Sequence, residues 1–426
     1  MTGAHPDLGD FDILDPEVQQ CPHLYYAAMR ESCPVFLAEA AGTEFYLISR
    51  HEDVMRVLMD PGTFSSKFGR SGLPPSKEAV KRLIEVQEEY GAYPRRDTLL
   101  TVDPPEHTRY RKLVSRAFTS RAIADLEPFI RSRTNELIDR FLPTGRCEFV
   151  EEFAVPLPVA VIARALNVPG DRLEDFKRWS DDAVAGTGRE LTVDEQVECE
   201  KSIIEFQHYF AEQLDQRRAE PRGDILTNLV QARIDIQEEP DLPDEPLSTE
   251  EILSILQQIL VAGNETTTKL LTEAMLLLSE RPEVWNQLQT DPTMAGRVAE
   301  ESLRLSSPTQ GMWRIATRDV DVAGTSIPAG SRVVIMYASA NRDETLFPDG
   351  DSFEPNRDNL SQHLSFGKGN HFCLGASLSR LETTVALEEL SRRIHSFSLS
   401  SGNEIQYQPS FMLRGLKRLD LELTTS

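Results

Sequence analysis

The hydrophobic positions of this chain recur mostly at helical spacing. Apolar residues follow at intervals of three and four through most of 120–290, and residues 76–90 have the pattern of an amphipathic helix. The alternation of apolar and polar positions that is typical of strands is confined to a predicted strand pair at 34–39 and 45–50 and to residues 314–337. The pattern therefore predicts a mainly α protein with minor β elements.

The longest predicted helix begins at Ser248 and runs to about Ser279. Ser248 and Glu251 have the spacing of a capping box, in which each side chain binds the other residue's backbone N–H. Two apolar halves flank the polar stretch GNETTT at 263–268, where glycine and threonine weaken a helix. The helix could simply surface there, but the apolar residues on both sides favour a buried polar segment, whose side chains need partners.

A second helix start is predicted in DPPEH at 103–107, and a surface loop is predicted in the acidic, proline-rich stretch at 237–246. Asp103 has the position of an N-cap residue, and Pro104 falls in the first turn. Glu106 lies three residues after the cap, which is the position of an acid that supports a helix N-terminus.

Composition narrows the class of protein. The formal net charge of −24 argues against a binder of nucleic acid or of anionic membranes. The five cysteines are scattered and form no C-x-x-C pair, so neither a disulfide framework nor a structural zinc site is expected. The N-terminus lacks the pattern of a signal peptide, and no apolar run is long enough to cross a membrane, so we expect a cytoplasmic protein.

The strongest chemical signal is LSFGKGNHFCLGA at 364–376, which places one cysteine among three glycines directly before a helical pattern. A thiolate is a soft metal ligand, and a helix N-terminus stabilises its negative charge. Glycines allow the backbone to approach a flat, bulky ligand closely. A lone cysteine is usually a small buried apolar residue, but the loop, the glycines and the helix start together favour Cys373 as a ligand.

The motif F-G-x-G-x-H-x-C-x-G resembles the haem-binding signature of the cytochrome P-450 superfamily; it is formed by Phe366, Gly367, Gly369, His371, Cys373 and Gly375. Glu301 and Arg304 in EESLR match the E-x-x-R motif of that family, and Arg357 in FEPNR matches the arginine that joins them in a structural network. The resemblance extends over nearly the whole chain, from FYLISRHEDV to MLRGLKRLDLEL. Length alone would predict two or three domains. The resemblance implies instead a single cytochrome P-450 domain over 1–426, a triangular-prism helical fold with small β-sheets, in which 1–20 form a loosely ordered segment.

The resemblance also implies a cofactor, haem b, with Cys373 as the axial thiolate on the iron. AGNETT at 262–267 is similar to the oxygen-activation segment of the family, which places Glu265 and Thr266 over the iron to deliver protons while O₂ is split. Asn264 is a further candidate for ordering water. The remaining cofactor-binding residues implied by the family motifs are Ala262, Phe366 and Gly375, with His107, Arg111, Arg314 and His371 as partners of the haem propionates.

A local basic patch is expected on the thiolate side, formed by Arg109, Lys112, Arg116 and Lys368. The first three follow one stripe of the helix at 107–118, roughly opposite His107 and Arg111. In the family this face receives an acidic ferredoxin or flavodoxin-type donor. The chain resembles the bacterial soluble members, without a reductase extension or a membrane anchor, and we expect a monomer.

These observations predict a haem-thiolate monooxygenase that hydroxylates a hydrophobic small molecule with O₂ and with electrons from NAD(P)H, supplied through a ferredoxin reductase and a ferredoxin. A peroxide-driven hydroxylase and a non-catalytic haem-binding protein are the alternatives, and the intact Glu265–Thr266 pair disfavours both. Terpenoid, steroid, fatty-acid and polyketide-like substrates all fit. By analogy with the family, substrate contacts come from 72–100, 180–200, 261–266, 309–313 and 411–413.

Overall fold

The structure, a computed structural model, describes residues 6–69, 76–116, 118–186, 191–234 and 245–425. The chain divides into two compact units, and each is described by itself. Unit 1 comprises Met1–Ser65, Glu127–Pro158 and Thr266–Ser426, and unit 2 comprises Ser66–Leu126 and Val159–Glu265. The single-domain interpretation stays a prediction, and the predicted surface loop at 237–246 lies largely outside the described residues.

Helices dominate the described part of the chain, as the hydrophobic spacing predicts. The α-helices are α1 Pro16–Gln20, α2 His23–Ser32, α3 His51–Leu58, α4 Lys77–Glu89, α5 Glu106–Ser115, α6 Ser120–Ala124, α7 Glu127–Phe141, α8 Pro156–Ala165, α9 Leu173–Val184, α10 Val193–Ala219, α11 Ile225–Gln231, α12 Thr249–Ser279, α13 Pro282–Thr290, α14 Met294–Ser306, α15 Tyr337–Ala340 and α16 Ala376–Arg393. None of the helices in the described ranges has the length and apolar character that crossing a membrane requires.

The strands belong to unit 1. They are β1 Val35–Ala40, β2 Thr43–Ile48, β3 Phe64–Ser65, β4 Arg146–Glu148, β5 Met312–Ala316, β6 Val320–Val322, β7 Thr325–Ile327, β8 Arg332–Ile335, β9 Ser396–Leu399 and β10 Asp420–Thr424. One sheet has the order β1-β2-β8-β5-β3, a second the order β4-β10-β9, and β6 pairs with β7. The predicted strand pair is confirmed: β1 and β2 are antiparallel, with Leu37 opposite Tyr46.

The predicted capping box and length of the longest helix are also confirmed. The Ser248 N–H donates to Glu251 Oε2 at 2.7 Å, and the Glu251 N–H donates to Ser248 Oγ at 3.2 Å. Helix α12 then continues through GNETTT without a break and ends at Ser279. One polar group in this stretch is satisfied within unit 1, because the Thr268 hydroxyl donates to the carbonyl oxygen of Ala154 at 3.0 Å.

The predicted cap at Asp103 is wrong. Helix α5 begins at Glu106, its N-cap residue is Pro105, and no side chain caps it. A residue before proline is disfavoured in the helical conformation, so the Pro104–Pro105 pair delays the helix start. The Asp103 carboxylate instead accepts a hydrogen bond from the Ser66 N–H at 2.7 Å.

Residues 6–20 contain a short helix with contacts to the C-terminal part of the chain. Asp15 caps α1 by accepting from the Glu17 N–H at 2.6 Å, and Val18 is buried. The guanidinium of Arg414 donates to the carbonyl oxygens of Gln19 and Gln20, both at 2.8 Å. The local sequence does not reveal these long-range contacts, and the expectation that 1–20 form a loosely ordered segment stays a prediction.

Candidate functional site

Hydrogen bonds to neighbouring elements of unit 1 hold the cysteine loop, residues 364–375, in place. The Leu364 N–H donates to Asn341 Oδ1 at 2.6 Å, and the Ser365 hydroxyl donates to the carbonyl oxygen of Leu303 at 2.6 Å. Within the loop, the Cys373 N–H donates to the carbonyl oxygen of Phe366 at 2.9 Å. The loop is therefore anchored to neighbouring elements at its start, and a hydrogen bond within the loop ties Cys373 to Phe366.

Two of the three loop glycines are required by the backbone. Gly367 and Gly369 have φ values of 64° and 67°, in the left-handed region that favours glycine. A Cβ atom on Gly369 would also lie 2.9 Å from the carbonyl oxygen of Leu58. Gly375 has an ordinary φ of −84°, and a Cβ there would lie 4.0 Å from Cys373 Sγ. Gly375 therefore leaves space beside the sulfur instead of allowing a special turn.

Cys373 lies three residues before α16, which starts at Ala376, so the thiol precedes the helix as the sequence pattern indicated. The residue is half-buried and forms no disulfide. It packs, together with Phe372, against a buried cluster formed by Leu270, Leu303, Phe366 and Ala376. Phe366, which was predicted to contact the cofactor, thus shares an apolar environment with the sulfur.

Cys373 and Arg314 both act electrostatically on one buried tyrosine, Tyr337. Arg314 is buried on β5 and donates from Nη1 to the carbonyl oxygen of Trp313 at 2.7 Å. Burial raises the pKa of Tyr337, the Arg314 cation lowers it, and Cys373 raises it. The thiol and the guanidinium therefore both lie close to the same phenol. His371, the other predicted propionate partner in unit 1, is half-buried at the end of a single 3₁₀ turn, Gly369–His371.

The predicted structural network of Glu301, Arg304 and Arg357, hereafter the Glu301 lock, is confirmed. Arg304 Nε and Nη2 donate to the two carboxylate oxygens of Glu301, both at 2.7 Å, and neither side chain is exposed. Arg357 Nε donates to Glu301 Oε1 at 3.1 Å. Arg304 also donates to the carbonyl oxygens of Asn341, Gly350 and Ser352.

A second ionic group supports the same loop and was missed by the sequence analysis. This Glu300 cluster consists of His363, Glu300 and Arg380. Arg380 Nε and Nη2 donate to the Glu300 oxygens at 2.6 and 3.0 Å, and His363 Nε2 lies 3.1 Å from Glu300 Oε2. Burial alone would raise the pKa of Glu300, but the hydrogen bonds from His363 and Arg380 outweigh it and lower the pKa to about 2.

In unit 2, helix α5 carries the other two predicted propionate partners. His107 is 3% exposed and Arg111 is half-buried, one turn apart on the same helix face. Arg109, in contrast, cannot contribute to the predicted docking patch. It is buried, forms an ion pair with Glu251 at 3.2 Å and donates to the carbonyl oxygen of Glu245 at 3.0 Å. The acid that caps α12 thus attracts this cation away from the surface.

The other three residues of the predicted patch are more accessible. Arg116 is exposed and donates to the carbonyl oxygen of Arg233. Lys112 is partly buried on α5, and Lys368 is partly buried in the cysteine loop of unit 1. The structure therefore leaves two candidates on unit 2 and one on unit 1.

The part of the predicted oxygen-activation segment that lies in unit 2 contacts α9, and we call this the α9–α12 contact. Asn264 is 1% exposed and donates from Nδ2 to Ser180 Oγ at 3.0 Å, whereas its Oδ1 has no hydrogen-bond partner. The next residue on each helix forms a second pair, because the Asp181 carboxyl is hydrogen-bonded to Glu265. Burial raises the pKa of Asp181, Lys177 opposes this, and Glu265 raises the pKa further.

The predicted residues at the centre of α12 differ in exposure. Ala262 is exposed, and Glu265 is half-buried at the end of unit 2. Thr266 is also half-buried and begins unit 1. Asn264 uses only its amide nitrogen on Ser180, and the expectation that the residue orders water stays a prediction.

Two residues that were predicted to contact the substrate are packed against other parts of the protein. Gln310 is 3% exposed, and its amide donates to the carbonyl oxygens of Ser306 and Ser307. A Cβ on Gly311 would lie 2.7 Å from the carbonyl oxygen of Ile335. Both residues therefore join α14 to the sheet. Phe411 and Met412 are buried as well, and Leu413 and Met312 are half-buried.

Comparison with known proteins places these features in a family. The family model described as cytochrome P-450 matches residues 194–419. The chain is 32% identical to linalool 8-monooxygenase of Pseudomonas putida, covering 98% of each chain. It is 33% identical to vitamin D(3) 25-hydroxylase of Pseudonocardia autotrophica, covering 97% of this chain and 96% of that one. Among solved structures, cytochrome P-450 CYP109Q5 from Chondromyces apiculatus matches with a TM-score of 0.84 and 38% identity over 98% of both chains.

Proposed function

Because this chain belongs to the cytochrome P-450 family and is therefore a haem-dependent monooxygenase, we propose that it hydroxylates a hydrophobic small molecule and takes its electrons from NAD(P)H through a ferredoxin reductase and a ferredoxin. One oxygen atom of O₂ enters the substrate and the other leaves as water. The observation that carries the proposal is the cysteine loop, in which the Cys373 thiol packs against the buried apolar cluster that contains Phe366.

The donor set of unit 1 fits iron protoporphyrin. Cys373 offers a soft thiolate for the iron, and Arg314 is a buried cation close to the same phenol, Tyr337. The negative propionates of haem need such a cation close to them. Bound haem supplies the iron at which O₂ is split, and thiolate donation favours that cleavage. We propose His107, Arg111 and His371 as further propionate partners, and Ala262, Phe366 and Gly375 as residues in contact with the ring.

We assign proton delivery to Glu265 and Thr266. The Thr266 hydroxyl holds and passes a proton, and the Glu265 carboxyl exchanges protons with the Asp181 carboxyl to which it is hydrogen-bonded. This arrangement supports O₂-driven turnover over the peroxide-driven alternative, which has no use for an acid–alcohol pair.

The substitution Thr266→Ala tests this assignment. Product formation should fall on the order of 10²-fold, the low end of what a positioned proton-transfer group contributes, while NAD(P)H consumption continues and released peroxide rises. The matched control is Thr272→Ala on the same helix, whose hydroxyl donates to the carbonyl oxygens of Thr268 and Lys269; this variant should keep the ratio of product to NAD(P)H. Unchanged coupling in Thr266→Ala would refute the proton-delivery role.

The substrate class follows from the relatives only as a proposal. The names of two relatives specify linalool, a terpenoid, and vitamin D(3), a secosteroid. The apolar side chains of Phe411 and Met412, two of the predicted substrate contacts, support an apolar substrate. A screen of terpenoids, steroids, fatty acids and macrolides, read by the spin-state shift of the haem spectrum, would identify which class binds.

We propose Lys112 and Arg116 on unit 2, and Lys368 on unit 1, as contacts of an acidic ferredoxin or flavodoxin-type donor. Reversing the charge with Lys112→Glu should slow reduction by the donor about tenfold at low salt, because surface charges steer association, and should weaken its salt dependence. Lys81→Glu on α4, whose side chain is 79% exposed, is the control and should change neither. Equal reduction rates in all three proteins would exclude Lys112 from the docking face.

A further inference from the structure

The Glu300 cluster carries a cation directly against an aromatic residue of the cysteine loop. The Arg380 guanidinium carbon lies 4.6 Å from the centre of the Phe366 ring, within the range of a cation–π contact. The same guanidinium forms a two-point fork with the Glu300 carboxylate. Such a fork fixes the plane of the guanidinium as well as its position. Both the position and the orientation of the Arg380 guanidinium over the Phe366 ring are therefore fixed.

His363 closes the cluster from the other side of the loop. Its ring centre lies 5.9 Å from that of Phe366, and its Nε2 contacts Glu300 Oε2. Its Nδ1 accepts a hydrogen bond from the Ser365 N–H at 3.2 Å, so the imidazole is also tied to the loop backbone. His363 is buried, whereas Arg380 is about one third exposed. The cluster thus joins α14, α16 and the loop around one aromatic ring.

Phe366 connects this charged group to the thiol. Its ring belongs to the buried cluster against which Cys373 packs, and its carbonyl oxygen accepts the Cys373 N–H. In an apolar environment a full charge acts over a longer distance than it does in water. A change in the net charge of the Glu300–Arg380 pair should therefore change the electrostatic potential at Cys373 Sγ, while the contacts of the loop backbone remain in place.

We propose that Glu300, Arg380 and His363 are positioning residues that set the electrostatic environment of the Cys373 thiolate through Phe366, and with it the reduction potential of the haem iron. This inference rests on the proposed role of Cys373 as the iron ligand. Arg380 stabilises the reduced, more negative state that forms when the redox donor adds one electron. The Glu300 carboxylate partly neutralises the Arg380 charge and fixes the position of the guanidinium over the Phe366 ring.

The alternative is that the cluster is only a structural brace, and the two roles make different predictions. Removal of either charge from a brace loosens the loop and changes the haem site in the same direction. Removal of charges that act electrostatically moves the potential in opposite directions. The sign of the shift, which stability does not determine, therefore separates the two roles.

The experiment measures the midpoint potential of the holoenzyme by spectroelectrochemical titration, with the spectrum of the reduced carbon monoxide complex recorded for each protein. Arg380→Met should shift the potential to more negative values, and Glu300→Gln should shift it to more positive values. Each should change the reduction equilibrium with a fixed donor about tenfold, as expected for one charge at roughly 10 Å in a protein interior. The double variant Glu300→Gln/Arg380→Met should return close to the unmodified potential.

Further variants keep the result decisive. Arg380→Lys retains the charge and should hold the potential closer to that of the unmodified enzyme than Arg380→Met does. If Arg380→Met loses haem, Arg380→Gln, which also removes the charge, takes its place in the comparison of signs with Glu300→Gln. The matched control is Arg131→Met, which breaks the ion pairs of Arg131 with Glu388 and Glu389 on α16 and should leave the potential unchanged.

The outcomes of this experiment separate the two levels of the proposal. Shifts of the same sign in Arg380→Met and Glu300→Gln, or no shift in either, would overturn the electrostatic role of the cluster. An unmodified holoenzyme without the thiolate-type band in its carbon monoxide spectrum would instead overturn the assignment of Cys373 as the iron ligand.

Discussion

The Glu301 lock, which lies in unit 1, and the α9–α12 contact of unit 2 differ in how their buried polar groups are paired. In the Glu301 lock, both carboxylate oxygens of Glu301 and the guanidinium of Arg304 are engaged in hydrogen bonds, and neither side chain is exposed. At the α9–α12 contact, a carboxyl faces another carboxyl, and the buried Oδ1 of Asn264 has no partner. Opposite charges lower the pKa of a carboxyl and like charges raise it.

The difference separates a region suited to holding the fold from a region suited to exchanging protons. A buried ion pair with every group satisfied is rigid, and removing one partner leaves a charge that no water can reach. A pair of carboxyls, in contrast, retains a proton in the pH range in which a single exposed carboxyl has lost it. The Glu301 lock is therefore suited to fix a loop, and the Asp181–Glu265 pair to hold and release protons.

The largest effect should come from breaking the Glu301 lock. The substitution Arg304→Met leaves the buried Glu301 carboxylate without its main partner and frees three carbonyl oxygens, so the free energy of unfolding should fall by about 3–5 kcal/mol. Urea unfolding followed by circular dichroism measures this change. Asp215 and Arg218 have the same sequence spacing on an exposed helix face, with side chains 75% and 37% exposed, so Arg218→Met should cost at most about 1 kcal/mol. Equal losses in the two variants would show that burial of the lock contributes nothing.

A smaller effect is expected from Glu300, and it should depend on pH. The pKa of Glu300 is lowered in the folded state from 4.5 to about 2. The unfolded chain therefore binds the proton first, and the stabilisation is complete above pH 4.5 and is lost as the pH falls towards 2. Glu300→Gln should be less stable than the unmodified protein at pH 7 by up to about 3 kcal/mol, the value of a shift of this size.

Urea unfolding at a series of pH values tests this prediction. The difference in unfolding free energy between the two proteins should shrink steadily below pH 4.5. A difference that is the same at pH 7 and pH 3 would mean that Glu300 stabilises the fold by packing and not by its charge.

The smallest effect, with the opposite sign, is expected at Asp181. The pKa of this carboxyl is raised from 3.8, chiefly by burial and further by Glu265. The folded state therefore retains the proton longer, and the unmodified protein loses stability as the pH rises from 3.8 through the folded pKa. Asp181→Asn should abolish this loss and be the more stable protein at neutral pH. The gain should stay below about 1 kcal/mol, because the side chain is 49% exposed and water screens its charge.

The same pH series of urea unfolding, applied to Asp181→Asn, measures this difference. Its matched control is Asp175→Asn on the same helix. The pKa of Asp175 is lowered by Arg172 and Arg178, so the control should lose stability at neutral pH where Asp181→Asn gains it. If Asp181→Asn were also less stable at neutral pH, the comparison between the two regions would fail.

Much of the fold and the main chemical signal could be predicted from sequence because they depend on local rules. The capping box at Ser248, the end of α12 at Ser279, the β1–β2 pair and the Glu301 lock all follow from spacing or from motif resemblance, and the structure confirms each. The cap at Asp103 failed where two local rules competed, and the restriction that proline places on its neighbour prevailed.

The partners of individual charges could not be predicted. Arg109 follows the same surface stripe as Arg116 in the sequence, yet it is buried against Glu251, 142 residues further along the chain. Arg380, Glu300 and His363 gave no pattern of their own, because they lie on three separate segments that meet only when the chain folds. Helical periodicity shows which face of a helix a residue occupies, but not what lies opposite that face.

The sequence by itself therefore determined the class of fold, the cofactor family and the position of the thiol, since these depend on spacing along one chain segment. The tertiary structure alone decided which charged side chains form ion pairs that hold the fold, and which carboxyl lies against a second carboxyl. Those outcomes depend on distances between segments that are far apart in sequence, and on the energetic demand that every buried charge find a partner. Arg109 and Arg380 illustrate the point: both are arginines on helices, and only packing assigned one to a helix cap and placed the other on the aromatic ring beside Cys373.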